Sequence, residues 1–402
     1  MAVELELDGK NKLVRAAQPA SVSSLTGGHF GYMKRGVIEL FEQEALYLID
    51  IRNAVCRDGA QNTYNFNQVA AMYDSPKQMA RYFTYKDWRD RGLIARQVSE
   101  IAQNFGRNPL RSYPKGEFEA PKFSLKARFY EDDLVAVVDD DATAKELYQR
   151  WWFGQYATYK AEQRGKLGKL DVYETLFLMK HSALLLENAS AAQVMKAAVE
   201  RRPDFKALYE VYEDWRLQGF TLKSGFKFGT HFRIYFPGAS PAKGEGWMHS
   251  QHVLHVFPRE QRLLISEWAR AIRVAHSVRK TFVLAIPGQK KKAEGKAGKM
   301  GKEKDKKGML HTKLDFLLYH RNGTNIENPR TGKPRYLMLS LSEEEYLGGE
   351  EMAAAIEDCK RIGLELMIAI ADRETSVTYY AVHRIEIPGS QFEYYEIEWV
   401  QP

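Results

Sequence analysis

"YEDWRLQG", residues 212–219, repeats an earlier part of the chain, "YKDWRDRG" at residues 85–92. The two stretches share identical residues at one constant spacing: Tyr85 and Tyr212, Asp87 and Asp214, Trp88 and Trp215, Arg89 and Arg216, and Gly92 and Gly219. A match of this kind at fixed spacing indicates a duplicated structural unit. We therefore predict two copies of one small helix-and-strand module, over residues 1–112 and 113–222.

A second repeat pairs "HFRIYF" (231–236) with "DFLLYH" (315–320), at a constant spacing that we term the domain offset. Four identities further along keep this offset: Glu267 and Glu351, Ala269 and Ala353, Ala271 and Ala355, and Ile272 and Ile356. Short strands and an amphipathic helix recur in both copies, which predicts two related mixed-sheet domains at residues 223–288 and 309–402. The chain is thus predicted to be of the α/β (α+β) class, built from repeated small mixed modules.

The segment that joins these two domains, residues 289–308, is rich in lysine and glycine. It holds nine lysines and three acidic residues, which is a net +6 of the chain's formal +7. A segment without aromatic or β-branched residues cannot bury a core, so we predict a flexible linker that can also attract phosphates. The remainder of the chain is nearly neutral, and its overall charge alone does not indicate a nucleic-acid surface.

The composition indicates folded domains, because 44% of the 402 residues are hydrophobic. No stretch has the roughly 18 apolar residues needed to span a bilayer, and the N-terminus lacks the pattern of a signal peptide. The two cysteines, Cys56 and Cys359, lie far apart and suit neither a disulfide framework nor a zinc site. We therefore expect a cytoplasmic protein with no membrane association, no metal and no cofactor.

Three polar side chains are predicted at the ends of neighbouring elements. A recurrence in steps of three and four predicts one helix face: Leu264, Trp268, Ala271, Ala275 and Val278. The run "TFVLAI" that follows predicts a buried strand, so Lys280 lies where the helix changes to the strand. Tyr235 lies at the end of the strand "FRIYF", and His249 comes just before the strand "HVLHVF". A side chain at such a junction can reach a cleft while its backbone is held by packing.

Tyr, His and Lys together can cleave RNA without a metal. A base takes the proton of the ribose 2′-hydroxyl, an acid protonates the departing 5′-oxygen, and a fixed cation stabilises the charge on the phosphorane. Four other histidines compete for the role of acid: His231, His252, His255 and His276. Each of the three residues also has a structural alternative: a core tyrosine, a histidine in a turn, and a lysine whose charged end reaches solvent.

Three segments in order, "GFKFGTHFRIY", "HSQHVLHVF" and "RVAHSVRKTFVLAI", resemble the archaeal tRNA-splicing endonucleases. "YEDWRLQGFTLKSG" resembles the helix and turn that lead into the catalytic, nuclease-like domain of that family. The resemblance implies that Tyr235 is the general base, His249 the general acid and Lys280 the transition-state cation. Arg273 would correspond to an arginine that clamps a bulged base by cation–π stacking, and its alternative is a solvated helix face.

The resemblance also implies a substrate and an assembly. Members of the family cut precursor tRNA at bulge-helix-bulge motifs, leave 2′,3′-cyclic phosphate and 5′-hydroxyl ends, and need two active sites at a fixed distance. At the domain offset Tyr319 matches Tyr235, but Lys333 and Leu364 stand at the other two triad positions. The C-terminal domain is therefore predicted to be a degenerate, structural copy of the catalytic domain. The chain then consists of three units, which are the first module, the second module fused to the catalytic domain, and the structural domain. Such a chain is predicted to form a homodimer with two active sites.

In that family an acidic loop of the structural unit docks on the partner assembly, and the C-terminal strands pair catalytic with structural domains. By resemblance, "ADRETSVTYYAV" (371–382), with Asp372 and Glu374, is the docking loop here. The pairing strand would be "YYEIEWV" (394–400). An ordinary hairpin and an ordinary edge strand are the structural alternatives.

One basic segment, within residues 151–171, has no counterpart in these motifs. It presents four cations around two glycines, with aromatic residues just before them: Lys160, Arg164, Lys166 and Lys169. Our hypothesis is that this loop contacts substrate phosphates and broadens the range of bulged RNAs that are accepted. The alternative is a solvated loop without a ligand.

The sequence thus predicts a metal-independent endoribonuclease that cleaves precursor tRNA at bulge-helix-bulge junctions. One alternative is a non-catalytic RNA-binding or assembly subunit that has kept the fold. Another is a metal-free ribonuclease that acts on a different structured RNA. The intact set of Tyr235, His249 and Lys280 favours the enzyme, because in the C-terminal copy two of the three corresponding residues are replaced.

Overall fold

The computed structural model describes residues 3–98, 104–107, 109–159, 161–243, 249–290, 314–390 and 392–402. These residues form a mixed α and β fold. The predicted linker from residue 291 onward lies outside the described residues, and so does Lys160 of the basic segment. No helix of the described ranges is long and apolar enough to cross a membrane.

The first module is a six-stranded sheet with helices packed on it. The first part of the chain contains β1 (Glu4–Asp8), β2 (Leu13–Ala16), α1 (Pro19–Gly27), β3 (Tyr32–Lys34), β4 (Val37–Leu40), α2 (Glu42–Ile51), β5 (Val55–Asp58), β6 (Thr63–Tyr64), α3 (Phe66–Tyr73), α4 (Gln78–Asp90), β7 (Ile94–Gln97) and β8 (Leu110–Ser112). The sheet has the strand order β3-β4-β2-β1-β5-β6. Strands β7 and β8 are not part of it and pair with the C-terminal domain.

The second module repeats this order of elements. It contains β9 (Leu125–Tyr130), β10 (Val135–Val138), α5 (Asp141–Trp151), β11 (Gln155–Tyr156), β12 (Gly168–Asp171), α6 (Val172–His181), β13 (Leu184–Leu186), α7 (Ala191–Arg201) and α8 (Phe205–Leu217). Its strand order, β11-β12-β10-β9-β13, is that of the first module without the last strand. The two modules therefore share a topology as well as a sequence motif.

The last two domains share one large sheet. The third part contains β14 (Thr221–Ser224), β15 (Phe232–Tyr235), β16 (His252–Val256), β17 (Arg262–Leu264), α9 (Ile265–Ser277) and β18 (Thr281–Lys290). The C-terminal domain contains β19 (Phe316–Tyr319), β20 (Arg321–Asn322), β21 (Asn325–Ile326), β22 (Tyr336–Ser342), β23 (Tyr346–Gly348), α10 (Gly349–Ile362), β24 (Glu365–Ala371), β25 (Val377–Glu386) and β26 (Phe392–Val400). Ten strands follow in the order β14-β15-β16-β18-β26-β25-β24-β22-β19-β7, and β8 pairs with β25.

The domain offset seen in the sequence holds for whole elements. Strands β15, β16, β17 and β18 and helix α9 each begin one domain offset before β19, β22, β23, β24 and α10 respectively. The strand β26 pairs with β18 antiparallel, and Phe282 stands opposite Ile397. This shows the pairing that the resemblance implied for the segment 394–400, and it makes the two sheets continuous.

The two modules are distributed between the two halves of this sheet. The second module leads directly into β14, where Thr221 pairs with Tyr235 of β15. The first module instead provides β7, where Ile94 pairs with Tyr319 of β19, a strand that is distant in sequence. Residues 3–97 and the C-terminal domain therefore form one half of the fold, and the second module and the third domain form the other.

The repeated motif has the same structural role in both modules. In the second copy, Trp215 is fully buried and Asp214 accepts a hydrogen bond of 2.6 Å from the hydroxyl of Tyr394 on β26. In the first copy, Asp87 accepts one of 2.7 Å from the hydroxyl of Tyr379 on β25. Gly219 ends the motif with a positive φ of 80°, a conformation that suits glycine after a helix. Each module is thereby fixed to the C-terminal domain.

A buried carboxylate also holds each module to its strand. Glu174 at the start of α6 pairs with Lys223 of β14 at 2.6 Å. In the first module Glu44 of α2 pairs with Arg96 of β7 at 3.8 Å. Removing one partner of a buried pair leaves an uncompensated charge and typically costs about 3–5 kcal/mol. These pairs therefore help to fix β14 and β7 at the two ends of the large sheet.

The helix before Lys280 differs in part from its predicted face. Its buried side is formed by Ile265, Trp268, Ala269, Ile272 and Ala275. Leu264 precedes the helix, which ends at Ser277, and Val278 is 45% exposed. The prediction extended past both ends of the helix, and at the C-terminal end the backbone turns away through the left-handed conformation of Arg279.

Candidate active site

Three strand ends meet at one edge of the large sheet. Strand β15 ends at Tyr235, while β16 and β18 begin at His252 and Thr281. Ile234 pairs with His252, and His252 pairs with Thr281, so the three strands are in register at this edge. Because β15 runs antiparallel to the other two, the residue that ends it lies beside the residues that precede them.

Tyr235 is held in a mostly apolar environment. Its side chain is 4% exposed, and its ring centre lies 4.4 Å from that of Trp152. Burial raises the pKa of the Tyr235 phenol, while the charge of Arg233 and a hydrogen bond with Ser250 act in the opposite direction. The guanidinium of Arg233 donates a hydrogen bond of 3.1 Å to the phenol oxygen. The phenol is therefore protonated at neutral pH and has a cation beside it.

His249 is exposed at the mouth of the cavity that Tyr235 lines. The cavity has a volume of about 310 Å³ and its lining residues are Ile234, Tyr235, Phe236, Ala239, His249, Ser250, Gln251 and His252. The segment with His249 precedes β16, so the backbone of this strand determines where the imidazole lies. A phenol and an imidazole thus share one small cleft that is open to solvent.

Lys280 is attached to this cleft through Ser250. Its ammonium group contacts the backbone oxygen of Ser250 and donates to the Ser250 hydroxyl at 3.2 Å. The same nitrogen lies 4.9 Å from the ring centre of Phe228. Burial, and after it the charge of Arg233, lowers the pKa of Lys280. Ser250 thus contacts Lys280, forms a hydrogen bond with Tyr235 and directly follows His249.

The backbone around Lys280 is fixed by hydrogen bonds on both sides. The Lys280 amide donates to the carbonyl of Ala275 at 2.9 Å, and the Thr281 amide donates to that of Gln251 at 2.8 Å. Arg279 adopts a φ of +55°, which is unfavourable for a non-glycine residue by about 1 kcal/mol or more. The chain therefore turns sharply from α9 into β18, and the lysine is presented at the sheet edge.

The four histidines that compete with His249 for the role of acid are buried or hydrogen-bonded within the fold. The Nδ1 atom of His231 accepts a hydrogen bond from the amide of Val256, and burial lowers its pKa to about 3. His255 is stacked beside it at 4.6 Å, and burial lowers its pKa to about 4. Burial also lowers the pKa of His252, whereas His276 lies against the carbonyl of Ile397. Groups that are neutral and buried are poor proton donors at pH 7.

Arg273 is not brought to the same cavity. It is exposed on α9, where its charge partly opposes the rise that burial causes in the pKa of the Tyr380 hydroxyl on β25. A second cavity of about 610 Å³ lies beside Lys280 and includes Arg279 rather than Arg273. Within the described part of the chain, Arg273 lines neither of these cavities.

The basic segment lies next to the candidate site. Arg164 and Lys166 are exposed in the connection between β11 and β12, and Lys169 is exposed on β12 itself. Lys160 is outside the described residues. The Thr158 hydroxyl donates to the Arg164 carbonyl at 2.6 Å, which closes the loop. The corresponding connection of the first module, between β3 and β4, is much shorter and consists of Arg35 and Gly36 alone. The longer loop thus belongs to the module that packs against Tyr235 through Trp152.

The predicted docking residues lie at the tip of a hairpin between β24 and β25. The Asp372 carboxylate accepts hydrogen bonds from the amides of Glu374 and Ser376, at 2.9 and 2.8 Å. Glu374 is exposed, and so is Arg373, which pairs with Glu343 and Glu344. Asp372 therefore shapes the turn, and Glu374 is presented on its surface.

The C-terminal copy has a different arrangement at the same edge. Leu364, which precedes β24 as Lys280 precedes β18, is 1% exposed and part of the core. Tyr319 ends β19 and is buried, and Arg96 of β7 acts on its pKa as Arg233 acts on that of Tyr235. Lys333 is exposed in the loop before β22. This edge therefore has a tyrosine, Tyr319, but a buried leucine at the position that corresponds to Lys280.

Two residues of the site were not singled out in the sequence. Arg233 is two residues from Tyr235 on the same strand, and alternation along a strand places both on one face. Ser250 follows His249 directly, and its contact with Lys280 depends on the pairing of β16 with β18. The strand periodicity could have indicated the arginine, but no local pattern indicates the serine.

Parts of the chain are similar to known proteins. Residues 205–294 match the family model described as the tRNA intron endonuclease, catalytic C-terminal domain. A tRNA-splicing endonuclease of Hyperthermus butylicus is 32% identical over 39% of this chain and 87% of its own length. One of Thermococcus gammatolerans is 34% identical over 38% of this chain and 85% of its own. One of Methanococcoides burtonii is 32% identical over 43% of this chain, and the match spans 48% of that relative.

The residues that match the family model begin with α8, continue past the end of β18 and contain the whole strand edge described above. They define the class of the protein, an endoribonuclease with the catalytic domain of tRNA intron endonucleases. More particularly, the chain belongs to the tRNA-splicing endonuclease family. This membership supports cleavage of tRNA introns as its reaction.

The charge of Arg233 lowers the pKa of Lys280, so replacing it should raise that pKa. In an Arg233→Gln variant, which retains a hydrogen-bond donor for Tyr235, we expect the alkaline loss of RNA cleavage to move to higher pH. The sign follows because a lysine with a higher pKa keeps its proton further up the pH scale. The pH dependence of single-turnover cleavage measures the shift.

The matched control for this variant is Arg279→Asn. Arg279 is also a cation and is adjacent to Lys280 in the sequence, but burial and the charge of Arg233 are the causes that lower the pKa of the lysine, and asparagine tolerates the left-handed backbone of Arg279. The alkaline limb should stay in place in this control. An alkaline limb that is unmoved or lower in Arg233→Gln would show that Lys280 does not govern it.

Proposed function

We propose that this protein cleaves precursor tRNA at bulge-helix-bulge junctions, without a metal ion, and leaves 2′,3′-cyclic phosphate and 5′-hydroxyl ends. The observation that supports this most directly is the arrangement around Ser250. The hydroxyl of Tyr235, the segment with His249 and the ammonium of Lys280 all adjoin this one residue. The membership in the tRNA-splicing endonuclease family agrees with this proposal.

In the proposed reaction the 2′-oxygen of the ribose attacks the adjacent phosphorus and the bond to the 5′-oxygen breaks. Tyr235 orients the 2′-hydroxyl, and Tyr235 in its phenolate form, the minor form at neutral pH, takes the proton of that hydroxyl onto its phenol oxygen. The charge of Arg233, 3.1 Å from this oxygen as a hydrogen-bond donor, makes the phenol more acidic than burial alone would allow. Orientation and proton removal together lower the barrier to attack by the 2′-oxygen.

His249 is proposed to protonate the departing 5′-oxygen. Its exposure suits this role because an imidazole in solvent can be recharged with a proton after each turnover. Lys280 is proposed to stabilise the negative charge on the phosphorane oxygens. Its ammonium already has two oxygen partners on Ser250, so it is held in place before the substrate arrives.

Cleavage of an end-labelled bulge-helix-bulge RNA in EDTA tests the proposal. The wild-type protein should make paired cuts and leave cyclic phosphate ends. His249→Ala and Lys280→Ala should each lower the rate about 10²–10³-fold, because each removes one group that acts in the transition state. Tyr235→Phe, which keeps the ring against Trp152, should also lower it.

Tyr319→Phe is the matched control, since Tyr319 holds the equivalent position in the copy without a complete triad. This variant should cleave at the wild-type rate. Tight RNA binding without cleavage by the wild-type protein would instead make it a binding or assembly subunit. Cleavage that needs an added divalent metal would rule out the proposed mechanism.

We propose a homodimer that carries two active sites, one from each chain. Each chain has one complete set of triad residues, and the described structure pairs its two halves within one sheet. The hairpin of Asp372 and Glu374 is proposed to dock on the partner chain, since its tip is exposed and carries acidic groups. Arg273, exposed on α9, is proposed to contact the bulged RNA rather than its own chain's cleft.

A charge reversal at the hairpin tip tests the dimer. The wild-type protein should have twice the chain mass in light scattering, and Glu374→Lys should lower the fraction of dimer because it places a cation at the docking surface. Glu131→Lys, in an exposed turn of the second module, is the control and should remain dimeric. A monomeric wild-type protein that cleaves both junctions would contradict the assembly.

We propose further that the long loop between β11 and β12 contacts substrate phosphates. The described cations Arg164, Lys166 and Lys169 are exposed, and the corresponding connection of the first module consists of Arg35 and Gly36 alone. Lysine and arginine contacts with phosphate release counterions, which gives binding a steep salt dependence. The loop would thereby extend the range of RNAs that can be held at the cleft.

Glutamine substitution of the four cations, Lys160, Arg164, Lys166 and Lys169, should weaken RNA binding and lower its salt dependence. The slope of log Kd against log salt should fall by roughly one for each phosphate contact that is lost. Glutamine at Lys145 and Lys196, which are exposed on helices of the same module, is the control. An unchanged slope together with wild-type cleavage of every substrate would rule out the proposed loop contact.

A further inference from the structure

Phe226 is almost entirely in solvent. Its side chain is 87% exposed, the highest value among the large hydrophobic side chains that the structure describes. A phenyl ring in water is unfavourable, and a single exposed one usually needs no explanation. This one differs because it belongs to an ordered turn beside the candidate active site.

The turn that presents Phe226 is held by several hydrogen bonds. Residues 226–228 form one turn of 3-10 helix, in which the amide of Phe228 donates to the carbonyl of Gly225 at 2.8 Å. The Phe226 amide donates to the Ser224 hydroxyl at 3.3 Å. A Cβ atom at Gly225 would lie 2.5 Å from the Thr230 side-chain oxygen, so the turn requires glycine there. The ring is therefore presented by a preorganised backbone.

The neighbours of Phe226 in this turn contact both parts of the site. The ring of Phe228 lies 4.9 Å from the ammonium of Lys280. The ammonium of Lys227 lies 5.6 Å from the ring of Tyr159, in the long loop of the second module. Tyr159 belongs to the module that packs against Tyr235 through Trp152. A nucleotide held at the cleft would come close to this turn.

The sequence of the C-terminal copy differs at these positions. At the domain offset, Phe226 and Phe228 correspond to Leu310 and Thr312, and Lys227 corresponds to His311. The two aromatic residues and the lysine thus occur only in the copy that also has Tyr235, His249 and Lys280. A purely structural turn would not need to differ in this way between the two copies.

We propose that Phe226 is a stacking platform for an unpaired nucleotide next to the scissile phosphate. Every base has a π face, so an exposed phenyl ring can hold a nucleotide of any sequence, and nearby cations neutralise its phosphates. Lys227 is part of this turn, and the ammonium of Lys280 lies against the ring of Phe228 in it. Two cations near the turn suit a stacked base whose phosphate enters the cleft. This role rests on the proposed function, because it requires a bulged RNA at the cleft.

The test uses a bulge-helix-bulge RNA with a 2′-deoxy sugar at each cleavage site and 2-aminopurine at one bulge position at a time. Stacking on a phenyl ring quenches 2-aminopurine. We expect quenching at one bulge position with the full-length wild-type protein. The quenching should be lost in Phe226→Leu, which installs the residue type of the C-terminal copy, and restored in Phe226→Tyr. Binding by Phe226→Leu should be about tenfold weaker.

Tyr130→Ala is the matched control, because Tyr130 is also an exposed aromatic residue but lies on β9. This variant should quench and bind as the wild type does. Equal quenching and equal binding by Phe226→Leu would overturn the proposal. A change of molecular mass in Phe226→Leu would overturn it too, in favour of a contact between chains. Wild-type protein that quenches through Phe226 but leaves unmodified RNA intact would disprove the cleavage and leave the stacking role in place.

Discussion

The hydrogen bond from Tyr394 to Asp214 is the interaction on which much of the structure depends. Asp214 belongs to the repeated motif at the end of α8, and its carboxylate also accepts a bond of 2.7 Å from Ser390. Tyr394 lies on β26, the strand that pairs with β18 and joins the two halves of the sheet. A carboxylate that is 8% exposed needs such partners, because an unpaired charge in the core is costly. The helix that leads into β14, and so into Tyr235, is therefore positioned by the C-terminal domain.

The duplicated architecture separates support from chemistry. Both modules attach to the large sheet through an aspartate, a tryptophan and a buried acidic side chain, so the two halves have similar scaffolds. At the strand edge they differ, since Lys280 is half-buried against polar oxygens whereas Leu364 lies in the core. A lysine at such a junction must keep its charged end at a polar edge, whereas a leucine there can pack into the core. One half could therefore lose the polar edge residues while its sheet remained intact.

The electrostatics of the site follow from a balance between burial and charge. Burial favours the neutral phenol of Tyr235 and the neutral amine of Lys280, and Arg233 beside them favours the phenolate and opposes the ammonium. One arginine thus makes the phenol more acidic and the ammonium easier to deprotonate. A phosphate in the cleft would reverse part of this effect by adding negative charge near the lysine. The protonation states of the free and the RNA-bound protein are accordingly expected to differ.

The sequence by itself determined the duplications, the mixed helix-and-strand class and the positions of Tyr235, His249 and Lys280 at the ends of elements, because these depend on local periodicity and on fixed spacing. The predicted helix face extended past both ends of α9, and at the C-terminal end the chain leaves the helix through the left-handed backbone of Arg279. Only the tertiary structure decided that β7 of the first module pairs with β19, and that Ser250 accepts a hydrogen bond from the ammonium of Lys280. Strand pairing between distant segments depends on how the whole chain packs, and no local pattern of residues encodes it.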